Sequence, residues 1–278
     1  MINQIFMKKM KSNYTQILAV IIALGMVFFT GCDSTDSTPE MGTLEVRLFD
    51  APADYDEVNI FVERVEVNNT EGDEGWEVIS EPMQSYNLLE LTNGVFEVIA
   101  DAELEAGLYP QIRLVLSRDE NSVVIDGESH GLFVPSGTET GVKLNVDAEI
   151  EADMTYTLLV DFDALRSVVK TGQAPTPGYI LKPVIRTANL VETGNIGGVV
   201  EPFNARAVVY AIAGDDTLST TFADTDTGEF LLVGLEGGLY DVSVEAREEG
   251  YLPAELSDVE VVTGETNDVG TIVLDTEE

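Results

Sequence analysis

The feature that most constrains the fold of this chain is a two-residue alternation of apolar and polar side chains. Its longest stretch places apolar residues at Met154, Tyr156, Leu158, Val160 and Phe162. Successive side chains of a β-strand point to opposite faces of the sheet, so a period of two predicts a half-buried strand. Shorter stretches of the same kind, separated by turn-forming residues, recur along most of the chain and predict an all-β protein.

From Gly42 to about Thr187 the alternation predicts ten short strands: Leu44–Leu48, Val58–Val62, Trp76–Ile79, Tyr86–Leu91, Val95–Ala100, Ile112–Leu116, Val123–Ile125, Leu132–Val134, Val142–Val146 and Met154–Phe162. The parity slips between Val62 and Val65, which indicates a β-bulge. Asp126-Gly127 is typical of a hairpin turn. Only Asp163–Lys170 is predicted as a helix, of about two turns. The pattern therefore predicts a mostly antiparallel β-sandwich.

The N-terminus has the features of an export signal. Lys8, Lys9 and Lys11 precede an apolar run from Ile17 to Phe29, and no acidic residue occurs before Asp33. The run has 13 residues, which suits the core of a signal peptide and is shorter than the roughly 20 residues that span a bilayer. Residues 1–31 are therefore predicted to be a signal peptide.

Cys32 follows this run and is the only cysteine of the chain. A lone exported cysteine is a free thiol, an intermolecular bridge or a lipid carrier. The sequence Phe29-Thr30-Gly31-Cys32 resembles the bacterial lipobox, which implies that Cys32 is diacylated and becomes the mature N-terminus. Residues 32–41 then form a polar tether. The expected location is the cell envelope, where acyl chains anchor the protein to a bacterial membrane on its periplasmic or surface-exposed side.

The charge of the chain limits its partners. There are 14 basic and 51 acidic residues, a net charge of −37 that becomes −40 once the three lysines of the signal peptide are removed. Nucleic acids would be repelled, because their binding needs a basic surface. One interpretation of the charge is adaptation to high salt, where screening weakens self-repulsion, as in halophilic proteins. The alternative is simply a well-solvated acidic surface.

Six motifs follow one another within residues 42–188: Asp50-Ala51-Pro52-Ala53-Asp54-Tyr55-Asp56, Leu91-Thr92-Asn93-Gly94, Ala106-Gly107-Leu108-Tyr109-Pro110-Gln111-Ile112-Arg113-Leu114, Val134-Pro135-Ser136-Gly137, Asp161-Phe162-Asp163-Ala164 and Leu181-Lys182-Pro183-Val184-Ile185-Arg186. In this order they resemble the family of domain of unknown function 4382, which is found in bacterial lipoproteins. The resemblance implies an envelope location and a first β-sandwich domain at residues 42–188. It implies no biochemical activity.

Five further stretches follow one another within residues 194–275: Ile196-Gly197-Gly198-Val199-Val200-Glu201-Pro202, Ala207–Ile212, Asp226-Thr227-Gly228-Glu229-Phe230, Gly234-Leu235-Glu236-Gly237-Gly238-Leu239-Tyr240-Asp241-Val242 and Glu249-Gly250-Tyr251. They resemble the carboxypeptidase regulatory-like, transthyretin-type β-sandwich, which has a carbohydrate-binding-like fold. The resemblance implies a second β-sandwich domain at residues 194–275 and no peptidase activity. Sugar binding follows from it only as an analogy between folds.

Few residues suggest catalysis or metal binding. His130 is the only histidine and is predicted to lie on an exposed turn, so neither a catalytic triad with Ser129 nor a zinc or copper site is expected. Calcium is the metal that carboxylates suit, and the candidate ligands are Asp50, Asp54, Asp56, Asp161 and Asp163. The stretch from Asp224 departs from an EF-hand loop, because Gly228 is its fifth residue rather than its sixth. A turn shaped by Asp226 and Gly228 is predicted there instead.

The sequence thus predicts a non-enzymatic lipoprotein with two tandem β-sandwich domains that binds or displays rather than catalyses. Its partners are expected to be the membrane, through Cys32, and a glycan or an envelope protein. The aromatic residues that could stack on a sugar are Trp76, Tyr55 and Tyr251, in or near loops. A structural or adhesive envelope protein is the second interpretation. An acid-dependent hydrolase, which would need two facing carboxylates, is the third.

Overall fold

The alternating stretches form strands in the computed structural model, which describes residues 39–70, 75–135, 141–172 and 178–276. The signal peptide, Cys32 and the tether up to residue 38 lie outside the described residues. So do Ser136 and Gly137 of the fourth motif of the first domain. The prediction of an all-β protein is confirmed.

The N-terminal sandwich consists of strands β1 to β13: β1 Met41–Ala51, β2 Glu57–Asn68, β3 Trp76–Ser80, β4 Gln84–Asn87, β5 Glu97–Glu105, β6 Gly107–Leu116, β7 Ser122–Ile125, β8 Glu128–Phe133, β9 Val142–Ile150, β10 Thr155–Asp163, β11 Val168–Thr171, β12 Gly178–Leu181 and β13 Ile185–Asn189. One sheet has the order β13-β10-β1-β5, and the other has the order β11-β12-β8-β7-β2-β6-β9, with β3 and β4 also paired to β2. Most pairs are antiparallel, but β1–β10 and β8–β12 are parallel.

The C-terminal sandwich consists of strands β14 to β20: β14 Thr193–Glu201, β15 Val208–Ala213, β16 Asp216–Phe222, β17 Glu229–Glu236, β18 Gly238–Glu245, β19 Ala254–Val261 and β20 Thr266–Val273. Its sheets have the orders β17-β14-β20 and β16-β15-β18-β19. Strand β14 is parallel to β20 and antiparallel to β17, which forms the free edge of its sheet.

Each sandwich has its own hydrophobic core between its two sheets. In the N-terminal sandwich, Leu44 and Val46 of β1 and Ile60 of β2 are among the buried residues, as the alternation requires. In the C-terminal sandwich, Val242 and Val244 of β18 are buried together with residues of the opposite sheet. Residues 40–278 nevertheless cluster as one compact unit, because further contacts connect the two sandwiches.

Two local predictions are confirmed by the strand register. The pairing of β2 with β6 shifts between Val62 and Arg64, which accounts for the slip of parity seen in the sequence. Asp126 and Gly127 connect β7 to β8 with φ angles of 52° and 75°. Positive φ at both central residues is the geometry of a two-residue hairpin turn.

Two other local predictions are wrong. The predicted helix at Asp163–Lys170 is only one turn, helix α1 (Ala164–Ser167). It is capped by the Asp163 carboxylate, which accepts from the Arg166 N–H, and β11 follows at once because its backbone pairs with β12. The predicted strand Tyr86–Leu91 ends at Asn87, where the Asn87 side chain accepts from the Leu89 N–H and starts a 3-10 turn.

Candidate functional site

The best-defined site of the molecule is the face of the β1–β10 sheet that points away from the N-terminal core. Phe49 and Leu159 project from this face and are buried against Val233 of β17. Ala188 and Leu231 complete the apolar contact. The sheet is therefore covered on both faces, by its own sandwich on one side and by the edge strand of the C-terminal sandwich on the other.

Arg186 makes four hydrogen bonds at this contact, two within its own sandwich and two to the other sandwich. Its Nε and Nη2 donate to Asp161 Oδ2 over 3.0 and 2.9 Å. Its Nη1 donates to the Gly234 carbonyl over 2.8 Å and its Nη2 to the Val233 carbonyl over 3.2 Å. The planar guanidinium group thus binds a carboxylate of one sandwich and two backbone acceptors of the other, which lysine could not do.

Asn93 binds the same edge strand. Its Nδ2 donates to the Glu229 carbonyl over 3.2 Å, and its Oδ1 accepts from the Leu231 N–H over 2.6 Å. A side-chain amide thus replaces the neighbouring strand that β17 lacks on this side. Gly94 allows the approach, since a Cβ built there would lie 2.8 Å from Leu231 Cδ2. The Asn93-Gly94 turn is therefore an interdomain contact.

A third polar contact lies near the end of β1. Asp54 and Arg247 form an ion pair between the two sandwiches. The Arg247 guanidinium also lies over the Phe222 ring, 4.5 Å from its centroid. This cation–π contact attracts the positive charge of Arg247 to the ring face and so favours this orientation of the guanidinium group. A cleft of about 550 Å³ opens beside this pair, between the segments around Asp54, Asp161 and Arg186 and the outer face of β15, β16 and β18.

Burial controls the ionisation of Asp161. Its side chain is buried, Oδ2 is bound by Arg186, and Oδ1 has no hydrogen-bond partner among the described residues. Burial raises the pKa of the Asp161 carboxyl, and the charge of Asp163 adds to the effect, whereas Arg186 opposes it. The ion pair therefore holds a carboxylate in a site where ionisation is costly.

Asp50 is a second buried acid, at the end of the N-terminal core. Its Oδ1 accepts from the Ala164 N–H over 2.9 Å, and its Oδ2 has no partner among the described residues. Burial, as the main cause, raises the pKa of the Asp50 carboxyl well above its usual range. In the parallel register Asp50 is opposite Phe162 of the core and Asp161 is opposite Phe49 of the interface. Asp50 and Asp161 therefore lie on opposite faces of the sheet.

The aspartates predicted as calcium ligands have other partners. Asp54 pairs with Arg247, Asp56 accepts from the Gly127 N–H over 2.8 Å, and Asp163 caps helix α1. In the part of the chain that the structure describes, no group of three or more His, Cys, Asp or Glu residues is arranged to hold a metal ion.

In the predicted turn after Asp224, the Asp224 carboxylate binds backbone N–H groups of the turn itself. Asp224 Oδ1 accepts from the backbone N–H groups of Asp226 and Thr227 over 2.9 and 2.8 Å, and these bonds lower the pKa of the Asp224 carboxyl. Gly228 has a φ of 74°, and a Cβ there would lie 2.3 Å from the Val200 carbonyl oxygen. The side chain that accepts these hydrogen bonds is thus that of Asp224 rather than the predicted Asp226. Glycine is required at position 228 because the Val200 carbonyl lies too close for a Cβ atom.

The three aromatic residues predicted to bind sugar do not form one site. The Trp76 ring lies under Arg113, whose guanidinium is 4.2 Å from the ring centroid. Tyr55 packs against the N-terminal core and lines a smaller cavity of about 440 Å³. Tyr251 packs against the C-terminal core, and its hydroxyl accepts from Asn204 Nδ2 over 2.9 Å. Each ring therefore has a structural contact of its own.

The prediction that His130 lies on an exposed turn is wrong. It lies in β8, is half-buried and packs against the Tyr179 ring with centroids 5.0 Å apart.

No helix in the described ranges has the length and apolar character needed to cross a bilayer.

Sequence reasoning missed the interdomain roles of Arg186 and Asn93, although both lie in motifs that it singled out. One feature of the sequence indicated this contact. Leu159 is apolar at a position where the alternation in β10 calls for a polar residue, and Leu158, Leu159 and Val160 are all buried. Three consecutive apolar residues in a strand indicate that both faces of the sheet are covered.

A comparison with protein families identifies the N-terminal part of the chain. The family model described as Domain of unknown function (DUF4382) matches residues 41–183. A search of curated proteins finds no match.

Three of the solved structures that resemble parts of this chain are the following. A cohesin–X-dockerin complex from Acetivibrio cellulolyticus has 16% identity and a TM-score of 0.24, covering 30% of this chain and 58% of its own. The minor pilin GBS52 of Streptococcus agalactiae has 12% identity and a TM-score of 0.21, with coverage of 84% and 96%. The shaft pilin SpaA of Lactobacillus rhamnosus GG has 9% identity and a TM-score of 0.21, with coverage of 85% and 98%. At these TM-scores the likenesses carry no argument about the fold or the function of this chain.

Proposed function

Since this chain belongs to the DUF4382 family through residues 41–183, we propose that it is a non-catalytic module of the cell envelope. In this proposal a lipid on Cys32 anchors the chain to a membrane, and the two sandwiches are presented as one rigid body that binds or displays. A carboxypeptidase regulatory-like identity of the C-terminal sandwich is part of the proposal.

The observation that carries the proposal is the interdomain contact. Arg186 and Asn93 together make four hydrogen bonds to the backbone of β17, and Phe49 and Leu159 bury apolar surface beside them. Domains joined only by a flexible linker are expected to move independently. A partly buried ion pair whose arginine also binds two backbone carbonyls of the other sandwich favours one orientation, which suits a module that presents a surface.

The proposal that the protein is not an enzyme has separate support. A hydrolase of the glycosidase type needs two carboxyl groups facing one another across a substrate, whereas the buried carboxyls Asp50 and Asp161 lie on opposite faces of their sheet. A Ser–His or Cys–His pair needs an oriented imidazole, and the single histidine of the chain, His130, packs against Tyr179.

Export and anchoring rest on the sequence. The basic start, the apolar run of 13 residues and Cys32 follow one another in the order of a lipoprotein signal. Two or more acyl chains bury enough methylene groups, at about 0.8 kcal/mol each, for a stable anchor. The predicted polar tether at residues 32–41 would then separate the N-terminal sandwich from the bilayer.

The anchor predicts a specific result for Cys32→Ser in the full precursor. Cells grown with labelled palmitate are expected to label the wild-type protein and not the variant, and the variant is expected to leave the membrane fraction or to stay unprocessed. Ser34→Ala, two residues further on, is the matched control and should be labelled like the wild type. Equal labelling of Cys32→Ser would overturn the proposed anchor.

A further inference from the structure

The Asn93-Gly94 turn places a chemically labile pair of residues at the contact between the sandwiches. Asparagine is among the residues that degrade spontaneously in proteins. The reaction is easiest when glycine follows, because glycine has no Cβ atom to shield its backbone nitrogen. Asn93-Gly94 is the only Asn-Gly pair of the chain. Asn93 is half-buried, so the turn is accessible to water.

The contact itself requires both residues of the pair. Asn93 and Gly94 have φ angles of 55° and 84°, a left-handed conformation that asparagine and glycine adopt more readily than other residues. A side-chain amide is the group that can both donate to the Glu229 carbonyl and accept from the Leu231 N–H. A Cβ atom at position 94 would lie 2.8 Å from Leu231 Cδ2. The interface therefore needs the residue pair that is most easily deamidated.

Deamidation of this pair needs only water as a co-reactant. The Gly94 backbone nitrogen attacks Asn93 Cγ and forms a C–N bond, while the bond from Cγ to Nδ2 breaks and Nδ2 leaves as ammonia with the proton of the Gly94 N–H. Water then opens the resulting succinimide ring. Hydrolysis at Cγ leaves an aspartyl residue, and hydrolysis at the main-chain carbonyl carbon leaves an isoaspartyl residue.

The native contact restrains this reaction. Nδ2 of Asn93, the group that has to leave, donates to the Glu229 carbonyl over 3.2 Å, and Oδ1 accepts from the Leu231 N–H over 2.6 Å. Ring closure brings the carboxamide onto the Gly94 nitrogen and so breaks both bonds to β17. The rate of deamidation therefore depends on how often the sandwiches separate at this contact.

The product makes a weaker contact than asparagine does. A carboxylate has no N–H to donate, so the Glu229 carbonyl keeps only the Asp224 N–H as a donor and faces a negatively charged acceptor. An isoaspartyl residue also lengthens the main chain by a methylene group, which displaces the turn that brings Gly94 against Leu231. Because ammonia has left, closing the contact again does not restore the asparagine.

We propose that Asn93-Gly94 is a site of spontaneous deamidation and that conversion of Asn93 irreversibly loosens the contact between the two sandwiches. The proposal goes beyond the proposed function and rests on the interdomain contact described there. In this account the rigid pair of sandwiches is the newly made form of the protein, and the contact weakens as the chain ages.

The test follows the mature full chain, carrying Cys32→Ser for solubility, during incubation in mildly alkaline buffer. Mass spectrometry of the peptide that contains Asn93 is expected to show a deamidated product that accumulates with time and includes isoaspartate. Arg186→Leu should accelerate the reaction at least about threefold, since even one lost hydrogen bond changes an opening equilibrium by this factor. Arg166→Leu, at an exposed ion pair within the N-terminal sandwich, is the matched control and should react like the wild type.

The effect on the contact is measured on the same sample. Deamidated molecules carry an additional negative charge and can be separated from unreacted molecules by anion exchange, so the unreacted fraction serves as the control. The Leu231 amide hydrogen, which Asn93 binds in the native contact, is expected to exchange with solvent faster in the deamidated fraction. Asn93→Ala gives the exchange rate for complete loss of both side-chain bonds.

Three results would overturn the proposal. The first is a wild-type chain that stays unreacted in native buffer while the same chain unfolded in urea is deamidated. The second is an equal rate of deamidation in wild type and folded Arg186→Leu, and the third is equal exchange of the Leu231 amide in the two fractions. None of these results bears on the proposed anchor, because the palmitate labelling of Cys32 is measured independently in cells.

Discussion

Replacement of Arg186 by leucine is expected to lower the free energy of unfolding by about 3 kcal/mol, the lower end of the range for removing one partner of a buried ion pair. The change leaves Asp161 buried without its cation, and its carboxylate side chain has only 10% of its surface exposed. The carbonyls of Val233 and Gly234 lose their donors at the same time. Leucine restores the bulk of the side chain but none of these bonds.

The measurement is urea unfolding of the mature full chain, followed by circular dichroism. Arg166→Leu is the matched control, because Arg166 pairs with Asp163 at 3.7 Å but is 72% exposed. Exposed pairs of this kind contribute about 0–1 kcal/mol, so the control should unfold nearly like the wild type. A shift for Arg186→Leu no larger than that of Arg166→Leu would contradict the interdomain role of Arg186.

Replacement of Asp50 by asparagine is expected to stabilise the protein at neutral pH. The pKa of Asp50 is raised in the folded state above its ordinary value of 3.8, so the folded chain binds this proton more tightly than the unfolded chain does. Stability contributed by the protonated group is present at low pH and is lost as the pH rises through the interval between the two pKa values. Asparagine imitates the protonated form and should remove this loss.

The check is the thermal midpoint of wild type and Asp50→Asn from about pH 4 to pH 8, above the ordinary pKa of aspartate. The fluorescence of Trp76, the only tryptophan, reports the N-terminal sandwich. The difference between variant and wild type should grow in favour of the variant as the pH rises. Asp101→Asn, at an exposed position of β5, removes the same formal charge and serves as the control. A pH-independent difference for Asp50→Asn would contradict the raised pKa.

Local patterns predicted much of the fold because their causes lie within a few residues. The alternation in β10, the bulge near Val62 and the turn at Asp126-Gly127 each depend on side-chain period or on backbone conformation at one point. The helix predicted after Asp163 failed for the opposite reason. Its second half, Val168–Lys170, is held in a strand by pairing with β12, and such long-range pairing is not readable from propensity.

The candidate site could not be predicted because it depends on contacts distant in sequence. Asp161 suggested a calcium ligand only because it is an aspartate near another aspartate, and its partner Arg186 lies on the neighbouring strand. Asn93 contacts Leu231, which is 138 residues away. The aromatic residues were chosen for their positions in or near loops, and the packing of Tyr55 and Tyr251 against the two cores and of Trp76 under Arg113 depends on residues distant in sequence.

The proposed rigid connection of the two sandwiches can be measured in solution. Residual dipolar couplings of the backbone amides of the weakly aligned mature full chain report the relative motion of the sandwiches. We expect couplings from residues 41–183 and from residues 194–275 to fit a single alignment tensor against the structure. Two tensors of different magnitude or orientation would show independent motion of the sandwiches and would contradict it.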